Sequence, residues 1–268
     1  MCPVGKIARK KITEVKYSWV AREKGILRDL VLYNLVGNSP PFSFVRAGDA
    51  ELRILEGRRY INPATKKKNL SKDFVYSLAR SLEVASIVGL PRNYIDKNHP
   101  QGWDTKIKEA CLKLGTTVSQ NVISASIFNI APEFLGEIVS NRNILIINFE
   151  AHRFIRLFKD ENFCNYYGFK NVNCECLDIP DGRGGYLYDG SSMDSIVNQV
   201  YDQLDKFDNY DIALIGAGAM ANVIATYIQT VCSKTALDVG SLLSAMRGQR
   251  NRGHLRKNGK KSFLVFEK

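Results

Sequence analysis

Residues 210–221, Tyr-Asp-Ile-Ala-Leu-Ile-Gly-Ala-Gly-Ala-Met-Ala, decide the fold, because a short apolar run breaks at Gly216-x-Gly218 and small residues then open a helical pattern. That pattern continues to about Cys232, and Thr235-Ala-Leu-Asp-Val239 follows as a further strand. Strand, tight turn, helix and strand in this order make a β-turn-α-β unit. Working outward, Ser192 to Phe207 carries Met193, Ile196, Val197, Val200, Tyr201 and Leu204 on one helical face. Before it, Val172 to Ile179 reads as a strand ended by Pro180-Asp-Gly-Arg-Gly-Gly185. Asn143-Ile-Leu-Ile-Ile-Asn-Phe149 is a continuous apolar run of the kind buried on both faces of a parallel sheet, followed by an amphipathic stretch from His152 to Phe158.

The alternation extends upstream. A helix over Lys72 to Glu83 precedes the strand Ala85 to Leu90, which Pro91 stops, and a helix over Thr105 to Leu114 precedes Thr116-Thr-Val118. Asn38-Ser-Pro-Pro41 breaks the chain before the first strand at Phe42-Ser-Phe-Val45. Residues 1–40 read as an N-terminal helical extension that braces the sheet or meets a partner. Residues 41–268 read as one α/β domain, Rossmann-like and doubly wound, with a mainly parallel sheet and helices on both faces. Ser262-Phe-Leu-Val-Phe266 could add a last strand after a basic loop.

The chain has 268 residues, and its 45% apolar content supplies a core and excludes wholesale disorder. No run reaches the length of a membrane span and the N-terminus lacks a secretory pattern, so the expected location is the cytoplasm. Cys2, Cys111, Cys164, Cys174, Cys176 and Cys232 show no disulfide framework spacing, and Cys174-Glu-Cys176 reads as strand alternation. The net charge of +11 gathers near the N-terminus, at Lys66-Lys-Lys68 and in residues 247–261. Such charge suits phosphate-bearing partners. No aromatic stripe, zinc-finger spacing or RNP-like segment accompanies it, so a sugar nucleotide or an acidic membrane surface is expected in place of nucleic acid.

Chemistry concentrates at two turns. After the first strand, Arg46-Ala-Gly-Asp-Ala-Glu51 presents Asp49 and Glu51 two residues apart where strand gives way to helix, a placement from which both can hold a hard divalent cation that grips phosphate. Gly216-x-Gly-x-x-Ala221 with Asp238 on the next strand matches a dinucleotide fingerprint: the glycines admit a phosphate close to the backbone and the acid can take a ribose hydroxyl. Only about thirty residues follow Asp238, too few for the rest of a dinucleotide fold in its usual order. A nucleotide or sugar contact therefore competes with NAD, and with close packing of small residues, as the reason for this turn.

His99, His152 and His254 are scattered, no G-x-S-x-G elbow seats a nucleophile, and no P-loop seats a triphosphate; zinc hydrolases, serine hydrolases and P-loop enzymes drop out. Asp178, Asp181, Arg183, Tyr186 and Asp189 lie around the Gly-rich segment at a strand's carboxyl end. They are candidates for acceptor contact, or simply turn formers.

Val45-Arg-Ala-Gly-Asp-Ala-Glu-Leu52, Ile87-Val-Gly-Leu-Pro91, Ile212 to Ala221 and Ala236-Leu-Asp-Val-Gly-Ser241, in this order and spacing, resemble the GT-D-type glycosyltransferases over roughly residues 42–245. The resemblance implies transfer of a sugar from a nucleotide-sugar donor, a UDP-sugar, with Mn²⁺ or Mg²⁺ as cofactor. It makes Asp49 and Glu51 the catalytic metal and diphosphate ligands, with Arg46 and Gly48 beside them and Gly216, Gly218 and Asp238 at the donor. The acceptor would be a glycan, glycoprotein or lipid-linked sugar in surface polysaccharide or glycoconjugate synthesis at the inner membrane face. Two positions depart from the family pattern: Ala50 stands where D-G-E has glycine, and Ser241 where histidine is frequent. An NAD(P)-linked oxidoreductase built on the Gly216 turn and a non-catalytic anion-binding or nucleic-acid-binding scaffold are the other two classes. An inverting reaction needs a base toward the acceptor hydroxyl, and the sequence does not single one out.

Overall fold

A computed structural model describes residues 25–33, 40–57, 71–91, 102–125, 127, 134–180 and 192–247. Within them seven strands form one sheet: β1 (Ser43–Arg46), β2 (Ile87–Leu90), β3 (Val122–Ser124), β4 (Asn143–Asn148), β5 (Asn173–Asp178), β6 (Ile212–Gly216) and β7 (Thr235–Asp238). The order across the sheet is β3-β2-β1-β7-β6-β4-β5, and every pairing is parallel. The expected doubly wound α/β architecture is what the chain adopts.

Parallel pairing requires a crossover after each strand, and the intervening sequence supplies helices. They are α1 (Asp49–Leu55), α2 (Lys72–Val84), α3 (Trp103–Lys113), α4 (Phe134–Val139), α5 (Phe154–Leu157), α6 (Glu161–Tyr167), α7 (Met193–Leu204), α8 (Met220–Thr230) and α9 (Ser241–Met246). Local chemistry fixes their starts. Ser71 Oγ accepts from Phe74 N–H at 2.9 Å and Ser192 Oγ from Ser195 N–H at 3.1 Å, each satisfying an orphan donor of the first turn. Asp160 does the same for α6, which Gly168 ends in a left-handed conformation.

The inner strands are mostly apolar because both faces are covered. Val45, Val88, Leu145, Ile147, Ala213 and Ile215 face a core completed by α1, α2, α3, α7 and α8. Phe44, Ile87, Ile144, Ile146, Ile212, Leu214 and Leu237 face a second core completed by α4, α5, α6 and α9. Leu27 and Val31 of the helical residues 25–33 join that second core, so this part of the N-terminal segment braces the sheet. β5 lies at the sheet's edge, and its Asn-Cys-Glu-Cys-Leu-Asp sequence alternates in exposure as an edge strand permits.

The strand after α3 lies at Val122–Ser124, later than the Thr116–Val118 segment. Thr116 is spent on the end of α3, where its N–H and Oγ1 both donate to Cys111 O. Residues 262–266 lie outside the described residues. All five cysteines within them are free thiols, as their spacing implies. Among the described residues no helix is long and apolar enough to cross a membrane.

Candidate active site

The helix after β1 packs into the first core through Leu52, Ile54 and Leu55, whereas the helix after the adjacent β7 packs into the second through Leu242, Leu243 and Met246. Where neighbouring parallel strands send their connections to opposite faces, a crevice opens at their carboxyl ends, and ligands of open α/β sheets collect there. The β1 turn with Asp49 and Glu51, the Gly216 turn of β6 and Asp238 of β7 all sit at this end of the sheet.

Arg46 and Asp238 join the two sides of the crevice. Arg46 Nε donates to Asp238 Oδ2 at 3.3 Å and Nη2 to Oδ1 at 3.2 Å, while Nη1 donates to Ala125 O at 3.2 Å. Gly240 N–H adds a bond of 2.9 Å to Asp238 Oδ1. Burial pushes the Asp238 carboxyl above the ordinary range of its type, and the Arg46 charge and hydrogen bonds oppose that shift. Gly240 has φ +52, and a Cβ there would run into the Arg46 guanidinium; only glycine leaves room for the pair. Beneath Arg46, Asn222 of α8 acts as a substitute strand neighbour. Its Oδ1 accepts from Arg46 N–H at 3.2 Å and its Nδ2 donates to Arg46 O at 2.8 Å.

Glu51 turns inward. Its Oε2 accepts from Gly48 N–H at 2.8 Å, closing the first turn of α1. Burial pushes its carboxyl up to about 7, two hydrogen bonds from backbone N–H groups and the Arg46 charge oppose that, and Asp238 adds repulsion. Arg46, whose charge acts on both acids, is already committed to Asp238. Asp49 differs: its side chain is 65% exposed and lies 3.8 Å from Arg53 one turn on. The two acids therefore occupy one turn with one carboxylate inward and one outward. Among the described residues no group of three or more His, Cys, Asp or Glu side chains could hold a metal, so any cation here would take two protein carboxylates and complete its shell from elsewhere.

The structure brings Arg46, Gly48, Glu51, Asp238 and Gly240 into one network, with Asp49 at its solvent side. The two glycines of β6 and its turn divide their roles. A Cβ on Gly216 would strike the buried Asn148 amide and approach Gly240 O to 3.0 Å, so this glycine lets three strand ends pack. Gly218, with φ +59 and open space around it, is the position where backbone is accessible. Asp181, Arg183, Tyr186 and Asp189 lie outside the described residues; Asp178 lies within them, hydrogen-bonded to His152.

The fastening of α9 to the sheet has no simple sequence signal. Glu150 follows β4 in the left-handed region, φ 53 and ψ 40, a conformation uncommon for a residue with a Cβ. From there its carboxylate bonds Arg153 and Arg247, each at 2.7 Å, which ties the end of α9 to the end of β4. Glycine or asparagine would have marked the turn; glutamate does not.

Residues 185–246, from before α7 through α9, match the family model GT-D-like, a GT-D fold-like domain. The chain is similar to the solved structure described as a new glycosyltransferase (DUF1792) from Streptococcus sanguinis, at 14% identity and TM-score 0.51, covering 82% of this chain and 80% of that one. It is also similar, at 17% identity and TM-score 0.49 over 75% of this chain and 73% of that one, to a structure described as a highly conserved domain of unknown function 1792 with a distinct glycosyltransferase fold. No curated protein matches. The chain thus shares its fold with that glycosyltransferase structure, and its residues 185–246 are similar to the GT-D fold-like domain, in line with the resemblance in the motifs. The matched segment includes Gly216, Gly218 and Asp238 and stops short of the β1 turn.

Proposed function

We propose that this chain is a metal-dependent glycosyltransferase that moves a sugar from a UDP-sugar donor to a glycan, glycoprotein or lipid-linked acceptor. The observation that carries the reading is the acid pair of α1 at the β1–β7 crevice, where half-buried Glu51 forms no ion pair among the described residues and Arg46 serves Asp238. A hard oxygen pair in that state fits Mn²⁺ or Mg²⁺, which bind by one or two carboxylates plus substrate phosphates. Asp49 and Glu51 would hold the ion. When bound, it supplies the positive charge that stabilises the departing nucleotide diphosphate.

The chain's own groups do the rest. Arg46, held on Asp238 and Ala125 O, keeps a fixed positive charge beside the crevice, and Asn222 fixes the backbone that carries it. Gly218 offers accessible backbone on the far side, ahead of the eleven-residue helix α8. The net charge of +11 supports work on anionic substrates at an acidic inner membrane face, in synthesis of surface polysaccharide or glycoconjugates.

Against an NAD(P)-linked oxidoreductase stands the state of Asp238: the acid that would take a ribose hydroxyl spends its oxygens on Arg46 and Gly240 N–H. Thermal shift with UDP-glucose, UDP-galactose and UDP-N-acetylglucosamine, each with and without Mn²⁺, tests the assignment. A bound donor at a hundred times its Kd adds about 2.7 kcal/mol and raises Tm by several degrees. A metal-dependent rise with one of these donors and none with NADH supports the transferase reading; a rise with NADH alone overturns it.

A further inference from the structure

Resting on that transferase reading, we propose that His152, held by Asp178, is the base that takes the proton from the acceptor hydroxyl, and that the reaction inverts the anomeric centre. His152 lies in the short 3-10 turn (Ala151–Arg153) that follows β4, and Asp178 ends the neighbouring β5. Asp178 Oδ2 lies 2.7 Å from His152 Nδ1, and Oδ1 accepts from His152 N–H at 3.1 Å. One carboxylate thus grips both ring and backbone of the same residue. A carboxylate at Nδ1 places the neutral imidazole's proton there and leaves the Nε2 lone pair as the acceptor, the arrangement a histidine base requires. The side chains are 59% and 50% exposed, so the pair is open to a substrate.

Its place in the sheet suits the role. β4 stands three strand steps from β1, about 14 Å at the usual ~4.8 Å spacing. That span accommodates the reach of an acidic side chain, a diphosphate, the transferred sugar's anomeric carbon, an acceptor hydroxyl in line behind it, and the reach of an imidazole. The turn bearing His152 packs into the second core through Ala151 and Phe154, while α1 with Asp49 and Glu51 packs into the first. The helix with the acids and the turn with the imidazole thus flank opposite cores at the same carboxyl end of the sheet. In the step itself, the acceptor oxygen bonds to the anomeric carbon as its proton passes to Nε2. The bond from that carbon to the diphosphate oxygen breaks with its electron pair leaving on the nucleotide, and the imidazolium then releases the proton to water.

Asp178 would also be explained as a cap of the 3-10 turn alone, a role that uses Oδ1 and the backbone N–H. The test separates the two. UDP release from UDP-glucose, UDP-galactose and UDP-N-acetylglucosamine with Mn²⁺ is followed in the presence of p-nitrophenyl glycosides as acceptors, for wild type, His152→Ala and Asp178→Asn. His152→Ala keeps the backbone N–H and its cap. Turnover is expected to fall by about a hundredfold or more in His152→Ala, with partial rescue by added imidazole, and by less in Asp178→Asn. The UDP–Mn²⁺ thermal shift should stay at the wild-type value in both. Transfer by His152→Ala at the wild-type rate, or a loss that imidazole leaves untouched, overturns the assignment of the base while the transferase reading stands. A wild type that neither binds nor turns over any of these donors overturns both.

Discussion

Arg46 grips Asp238 through two N–H groups, Nε at 3.3 Å and Nη2 at 3.2 Å, and so ties the end of β1 to the end of β7 across the crevice where their connections part. The Asp238 side chain is 5% exposed. Removing the guanidinium leaves a buried carboxylate without its counter-charge, a change that costs about 3–5 kcal/mol. Arg46→Ala is therefore expected to lower the urea midpoint sharply. Arg46→Lys should recover only part of the loss, because a point charge cannot reproduce the fork that bonds Asp238 and Ala125 O together. Equal stability of Arg46→Ala and wild type would contradict this account of the pair.

Gly240→Ala tests the same pair from the other side. The substitution meets a left-handed backbone and a guanidinium where its Cβ must go, so its effect should exceed the ordinary cost of alanine at positive φ and reach about 2 kcal/mol or more. In an Arg46→Ala background the clash is gone, and the penalty should fall to the backbone part, about 1 kcal/mol. A double-mutant cycle on urea unfolding reads the coupling.

Asn222→Ala removes both partners of the Arg46 peptide, one donor and one acceptor, inside the sheet. Each buried orphan costs about 1–3 kcal/mol. Stability should drop by about 2–4 kcal/mol, and amide exchange at Arg46 should speed up far more than at Phe44, which remains flanked by β2 and β7.

The Arg46–Asp238 pair shows what the sequence could and could not carry. The doubly wound sheet was legible in the apolar runs at Asn143–Phe149 and Tyr210–Ile215 and in the glycine turn between β6 and α8, since period and turn chemistry are local properties. Asp49, Glu51 and Asp238 stood out for the same reason, each at or just past the end of a strand. The Arg46–Asp238 bond joins residues 192 positions apart, and nothing local says that the acid faces an arginine. Glu51 turned inward and Asp49 outward is likewise set by how α1 rests on the core, a tertiary fact. The His152–Asp178 contact depends on β5 lying beside β4, and a lone histidine among three scattered ones gave no sign of it.

Glu51 gives a pH dependence with a definite sign. Its carboxyl sits at about 7 in the fold against an ordinary 4.5, so the folded protein binds this proton more tightly than the unfolded chain. The stability it contributes is fully present below pH about 4.5, declines as pH rises through about 7, and is flat above; the whole change is on the order of 3 kcal/mol. Urea titrations of wild type and Glu51→Gln at several pH values isolate it as a difference curve. That curve should slope between these limits and flatten with saturating Mn²⁺ and UDP, because the cation takes the proton's place. A difference independent of pH would contradict the burial assigned to this carboxyl.

The most direct measurement is Mn²⁺-dependent sugar transfer, read as UDP release from a donor that binds, in wild type, Asp49→Ala and Glu51→Ala. The account expects metal-dependent turnover in wild type and its loss, by about a hundredfold or more, in both variants, with Asp49→Ala as stable as wild type because that side chain is exposed. Full activity in either variant, or turnover indifferent to the metal, would contradict the claim that these two acids hold the cation on which transfer depends.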